Sequence, residues 1–145
     1  LMCGPVSAES EGPREPSKDD KCPVCGMFVY KYPDWIGEIR FRDGTGAFFD
    51  GAKDLFKYYF NLKTYRPQME KEDIEAIWVT EYYELKRIRA EDAFFVVGTD
   101  VYGPMGKELI PFSRAEDAET FKNDHGGSGI LRFEQVTPSL IETLD

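Results

Sequence analysis

The feature that most constrains this chain is an internal repeat. Phe49-Asp50-Gly51-Ala52-Lys53-Asp54 lies over Phe112-Ser113-Arg114-Ala115-Glu116-Asp117 at an offset of 63 residues. A segment that recurs once at this spacing implies two copies of one supersecondary unit. Each copy is too small to bury its own sheet face, so the two must pack together.

Hydrophobic periodicity fills in the unit. Residues 38–43 alternate apolar and polar, a strand pattern, and Gly44-Thr45-Gly46 reads as a turn into a short strand, Ala47-Phe48-Phe49. Asp50 is positioned to cap a helix carrying Leu55, Phe56, Tyr59 and Phe60 on one face. A third strand is expected over Ile74 to Tyr83. The second copy has a Phe- and Val-rich strand from Ala93 to Gly98 and a short one, Leu109 to Phe112. Pro111 lacks an N–H, which puts that short strand at a sheet edge. A helix capped by Ser113 follows, then a strand from Ile130 to Val136, and Pro138 is placed to open a short terminal helix. The expectation is an α+β protein of tandem β-β-α-β modules with mainly antiparallel sheet. The modules span about residues 21–84 and 85–145 of one domain.

Residues 1–20 carry Pro5, Pro13 and Pro16 among Ser, Glu, Lys and Asp without apolar periodicity, and read as a flexible tether. Leu1-Met2-Cys3-Gly4 has the outline of a lipobox remnant, which would make Cys3 the lipidated N-terminus of a mature lipoprotein; a boundary with an incidental Cys is the alternative. Lipidation would also account for an odd count of three cysteines. A net charge of -9 repels phosphate backbones and anionic head groups, which argues against nucleic acid as a partner. Contact with a membrane is then expected only through the lipid anchor. No apolar run approaches the roughly 20 residues of a membrane helix.

Few groups are left to carry chemistry. Cys22-Pro23-Val24-Cys25-Gly26-Met27 offers two thiols and a thioether. The c-type haem motif would need His where Gly26 stands, and a structural zinc site would need two further Cys or His ligands. In an extended segment Cys25 and Met27 face one side, and soft sulfur ligands select Cu(I). A Cys22–Cys25 disulfide is the competing reading, a thiol redox centre is a third, and Met27 is open to being core filler. Met105 sits in a turn of small residues, Gly103-Pro104-Met105-Gly106, either as a ligand or as a plug between the modules. His125, the only histidine, is either a nitrogen ligand or a helix C-terminal residue complementing the dipole. There is no Ser-His-Asp grouping, no G-x-G-x-x-G and no P-loop, and nothing in the spacing demands an enzyme.

Taken together, Cys25-Gly26-Met27, Gly103-Pro104-Met105-Gly106, Ile110-Pro111-Phe112 and His125-Gly126-Gly127 resemble the signature of NosL-type copper chaperones. The resemblance runs from about Lys21 to Val136. It implies a pair of β-β-α-β modules, an outline shared with organomercurial lyase, for which this chain is short. It also implies a Cu(I)-binding lipoprotein outside the cytoplasmic membrane, periplasmic in a Gram-negative cell. Such a protein carries copper toward an acceptor cuproenzyme such as nitrous oxide reductase, or toward its assembly proteins. On the resemblance, the thiolate ligand falls on Cys25 and the thioether ligand on Met105, with Met27 in the first motif. Cys22 is either a further ligand or the disulfide partner of Cys25.

Overall fold

A computed structural model describes residues 12–145. Cys3 and the proposed lipobox lie outside the described residues. The first copy folds as β1 (Gly37–Phe41), β2 (Gly46–Phe49), α1 (Ala52–Phe60), a further turn of helix α2 (Leu62–Tyr65) and β3 (Ile74–Thr80). A short β4 (Arg87–Arg89) adds to the same sheet, which has the order β2-β1-β3-β4 and is antiparallel throughout. The second copy is β5 (Phe94–Val97), β6 (Ile110–Phe112), α3 (Ala115–Asp124) and β7 (Gly129–Leu131), with sheet order β6-β5-β7. In both, the first strand is central, flanked by its hairpin partner and by the strand that follows the helix. Helix α4 (Pro138–Thr143) closes the chain with Pro138 in its first turn.

The α+β class and antiparallel sheets agree with the expectation, and so does the edge position of Pro111. The last strand is shorter than expected. It stops at Leu131, and a 3-10 turn takes Phe133–Gln135. Neither predicted helix cap operates. The N-cap positions are Gly51 and Arg114, without side-chain caps, so Asp50 and Ser113 stand one residue early.

Strand alternation builds the core. Ile39 and Phe41 of β1 and Ile77 and Val79 of β3 face inward with Phe49, while Glu38 and Arg40 face outward with Trp78. Helix α1 presses Leu55 and Phe56 into this cluster, which also takes Phe95 and Val97 from β5 and Leu109. Val96 faces the other way, onto Phe112, Ala118 and Phe121 beneath α3. The second sheet is thus covered on both faces, which is why Phe94–Val97 reads as a continuous apolar run. Phe56 lies 5.4 Å from Phe95 and 5.2 Å from Phe133 between ring centroids, tying the modules together. Truncating such a residue costs about 3–5 kcal/mol.

Residues 12–20 do not hang free. The Gly12 carbonyl accepts from Arg40 Nη2 at 3.0 Å, and the Arg14 N–H donates to Glu38 at 2.9 Å. Arg87 donates to the Arg14 carbonyl and to Glu15. This segment covers the outer face of the first sheet, where the Glu38–Arg40 pair is 2.8 Å long and buried. A polar, Pro-rich composition signals a tether only when no partner waits for its backbone, and here two sheet arginines and a glutamate do.

Candidate metal centre

The Cys22–Met27 segment folds as a tight turn, not as the extended stretch that would point Cys25 and Met27 the same way. The Cys22 N–H donates to the Met27 carbonyl and the Gly26 N–H to the Cys22 carbonyl, both at 2.8 Å. Gly26, at φ +81, supplies the left-handed residue this closure needs. Backbone N–H groups of Cys25 and Val24 point at the Cys22 sulfur, and that of Met27 points at the Cys25 sulfur. Such donors favour thiolates. Both cysteines are free thiols.

The turn sits over the start of α1. There β2 ends at Phe49 and hands Asp50 to the junction, and Asp54 lies one helical turn beyond it. Cys22 Sγ donates to Asp54 at 3.4 Å, and Cys25 Sγ reaches Asp50 at 3.3 and 3.4 Å. The ligand atoms of Cys22, Cys25, Asp50 and Asp54 all lie within 4.8 Å of one another. Cys22, Asp50 and Asp54 are buried, and Cys25 is half-buried.

Electrostatics keeps the two thiols protonated. Burial pushes the Cys22 thiol up to about 11, and the charges of Asp54 and Asp50 add to the rise. The Cys25 thiol is raised further, first by burial, then by the Cys22 sulfur and the carboxylates. Asp50 is also raised, again chiefly by burial. A cation that binds the two thiols must displace their protons.

The second module reaches this place through one loop. Gly103 and Gly106 exchange two backbone hydrogen bonds, at 2.8 and 3.1 Å, so that Pro104 and Met105 form the tip of a tight turn. Lys53, between Asp50 and Asp54 in the first turn of α1, holds that turn by donating Nζ to the Met105 carbonyl at 2.9 Å. The Lys53 N–H donates to Glu108 Oε1 at 2.6 Å. A buried carboxyl group from the second copy therefore caps the helix of the first, where Gly51 has no side chain to do so. Gly51 is needed here for space, since a Cβ would lie 2.0 Å from Glu108 Oε2. Met105 remains exposed.

The predicted residues thus fall into three places. Cys22 and Cys25 join the cluster, and Met105 stands on a loop pinned to the same helical turn. Met27 belongs to the cysteine turn, with its carbonyl and N–H both engaged there. His125 lies elsewhere, at the end of α3, with Nδ1 2.9 Å from Asp100 and its ring 4.3 Å from that of Phe121. Asp50, Asp54, Lys53 and Glu108 were not singled out from the sequence. The available signal was two aspartates four residues apart at a strand-to-helix junction in a chain with a Cys-x-x-Cys pair. Asp50 was absorbed by the capping explanation.

The NosL family model matches residues 13–141. This chain belongs to the NosL family. A copper-binding lipoprotein NosL from Stutzerimonas stutzeri is 30% identical over 129 residues, 85% of this chain. The chain spans 65% of that relative's length. The crystal structure of the copper chaperone NosL from Shewanella denitrificans aligns with a TM-score of 0.74 and 25% identity, covering 88% of this chain and 97% of that one. The solution structure of apo-NosL from Achromobacter cycloclastes gives 0.51 at 24% identity, over 72% and 87%, and supports the fold. The paired modules are accordingly those of a NosL-family domain, and the relatives are described by copper binding and chaperoning rather than by a reaction. Among the described residues, no helix is long and apolar enough to cross a membrane.

Proposed function

We propose that this NosL-family chain is an extracytoplasmic Cu(I) carrier, held at the membrane by a lipid anchor, that delivers copper for maturation of a cuproenzyme such as nitrous oxide reductase. Cys25 binds as thiolate and Met105 closes the site from the second module. Met27 and Cys22 are the remaining sulfur candidates. Soft sulfur donors favour Cu(I), and few ligands leave a face free for ligand exchange with a donor or acceptor. His125, with Nδ1 held by Asp100, is left as a nitrogen that copper meets through Nε2 during transfer.

The observation that carries this reading is the pinning of the Met105 turn by Lys53. It ties the backbone of the loop that carries the exposed Met105 to the helical turn whose aspartates face the two cysteines. The names of the relatives support copper as the cargo. A disulfide-stabilised module or a thiol redox protein would use Cys22 and Cys25 differently, and the free thiols favour the carrier. Thiol counting and an anaerobic Cu(I) competition titration test the proposal. One tightly bound Cu(I) per chain, lost in Cys25→Ser and kept in His125→Ala, is expected. An unreactive Cys22–Cys25 bridge with no copper uptake overturns it.

A further inference from the structure

The first sheet leaves one edge open. In the order β2-β1-β3-β4, no strand among the described residues pairs with the far side of β2. The Phe41 N–H donates to the Thr45 carbonyl at 2.8 Å, which fixes the phase of the ladder. Ala47 and Phe49, opposite Ile39 and Gly37, turn their backbone groups to β1, so Gly46 and Phe48 turn theirs to the open side. Natural edges are guarded by charge or proline, and β4, the other edge of this sheet, carries Arg87 and Arg89. Gly46-Ala47-Phe48-Phe49 carries neither.

A slot follows this edge. Gly46, Ala47 and Phe48 line a cavity of about 270 Å³. One wall is Arg14 and Lys21, from the segment that runs into the cysteine turn. The other is Tyr58 of α1, stacked 5.3 Å from Tyr65 of α2, with Arg66 beside them. We infer that this edge is a docking slot for an extended, acidic segment of a partner protein, which adds to the first sheet as a fifth strand.

Backbone and charge select that occupant. A strand laid beside β2 exchanges hydrogen bonds with Gly46 and Phe48, and the tyrosine rings cover its side chains. Arg14, Lys21 and Arg66 converge here in a chain whose net charge is -9. Lys21 and Arg66 form no ion pair among the described residues. Of the two acids in the lining, Glu38 is already paired with Arg40, and Asp20 accepts the Ser17 N–H at 2.7 Å. Arg66 is held in place by donating to Thr45 Oγ1 at 2.9 Å and by lying 4.7 Å over the Phe41 ring, so its guanidinium is set before a carboxylate arrives. The slot stands independently of the copper reading. Lys21 and Pro23 bracket Cys22 and both line the slot, so an occupant lies against the cysteine turn whatever that turn binds.

Amide NMR of the reduced chain, titrated with the probe peptide acetyl-Glu-Val-Glu-Val-Glu-amide, tests the inference. Saturable shifts centred on residues 45–49 and the slot walls are expected. Arg66→Glu and Lys21→Glu should each weaken binding at least ~5-fold, and the peptide with Lys in place of Glu should bind at least ~10-fold more weakly. A backbone N-methylated peptide keeps its charges but has no N–H to give the ladder, and should lose at least ~10-fold. Absence of saturable binding, shifts centred away from β2, equal binding of the lysine peptide, or an N-methylated peptide as tight as the parent each overturns the slot. The two altered peptides keep the test decisive if a protein variant fails to fold. Anionic head groups are the rival source of negative charge. Uptake on phosphatidylglycerol vesicles that is lost in Arg66→Glu, without peptide binding, would assign these cations to lipid and overturn the strand site.

Discussion

The two β-β-α-β units share sheet order and helix placement, yet only the first is armed. Where Asp50 is buried against Cys25, the second copy has Ser113, half-buried at the start of α3. Where Cys22 and Cys25 stand, residues 63 positions later are Leu85 and Ile88. The second helix keeps Asp117 opposite Asp54, but its N-terminus has no buried carboxylate cap, whereas α1 takes Glu108. The repeat supplies the scaffold, and departures from the repeat supply the chemistry. The second copy contributes through an insertion between its first two strands, the stretch carrying Met105 and Glu108, which crosses to the helix start of the first.

The contrast can be broken most sharply at its paired positions. Cys25→Ser should lower Cu(I) affinity at least ~100-fold with little change in Tm, because Cys25 is half-buried and joins no strand. The change 63 positions later, Ile88→Ser on β4, should leave copper untouched and cost about 1–3 kcal/mol in denaturant unfolding, since Ile88 packs on the main core. If Ile88→Ser disturbs copper as strongly as Cys25→Ser, the loss in Cys25→Ser reports general damage to the fold and not a missing ligand.

Proton release gives the next effect. The Cys22 thiol is pushed up to about 11 and Cys25 higher still, so both carry protons at neutral pH. Each thiolate formed on binding must shed one. Between about pH 6 and 9 the logarithm of Cu(I) affinity should rise by ~2 per pH unit if both cysteines ligate and by ~1 if only Cys25 does. A flat profile contradicts thiolate ligation.

Met105→Ala should weaken Cu(I) about 10-fold and leave stability within about 0.5 kcal/mol, because the side chain is exposed and its carbonyl keeps the Lys53 bond. A separate expectation concerns the bridge between the units. Burial raises the Glu108 carboxyl from 4.5 to about 8. The folded state therefore holds a proton that the unfolded chain has released, and stability drains as pH rises from about 4.5 toward 8. Glu108→Gln keeps the acceptor oxygen for Lys53 and should flatten that slope in Tm measurements from about pH 5 to 8. An unchanged slope would remove Glu108 from the account.

Much of this was legible in the chain. The repeat around Phe49 and Phe112 announced two like units, and alternation in residues 38–43 and the run Phe94–Val97 announced their central strands. The Cys-x-x-Cys pair and the Met between glycines stood out in the chain as candidate donors, with a disulfide and a plug between the modules as the open alternatives. The carboxylates were not, since an Asp before a helix is ordinarily a cap, and burial against cysteines 25 and 32 positions away is a tertiary fact. The docking of residues 12–15 was hidden for the same reason: their partners Glu38, Arg40 and Arg87 lie far along the chain.

The claim underlying all of this is that copper is bound between the units, by a thiolate of one and a thioether of the other. X-ray absorption at the copper edge, on anaerobically loaded wild type and Met105→Ala, tests it most directly. The account predicts a low-coordinate Cu(I) with sulfur neighbours, one of which disappears in the variant. An identical sulfur shell in both proteins would place copper wholly within the first unit and contradict it.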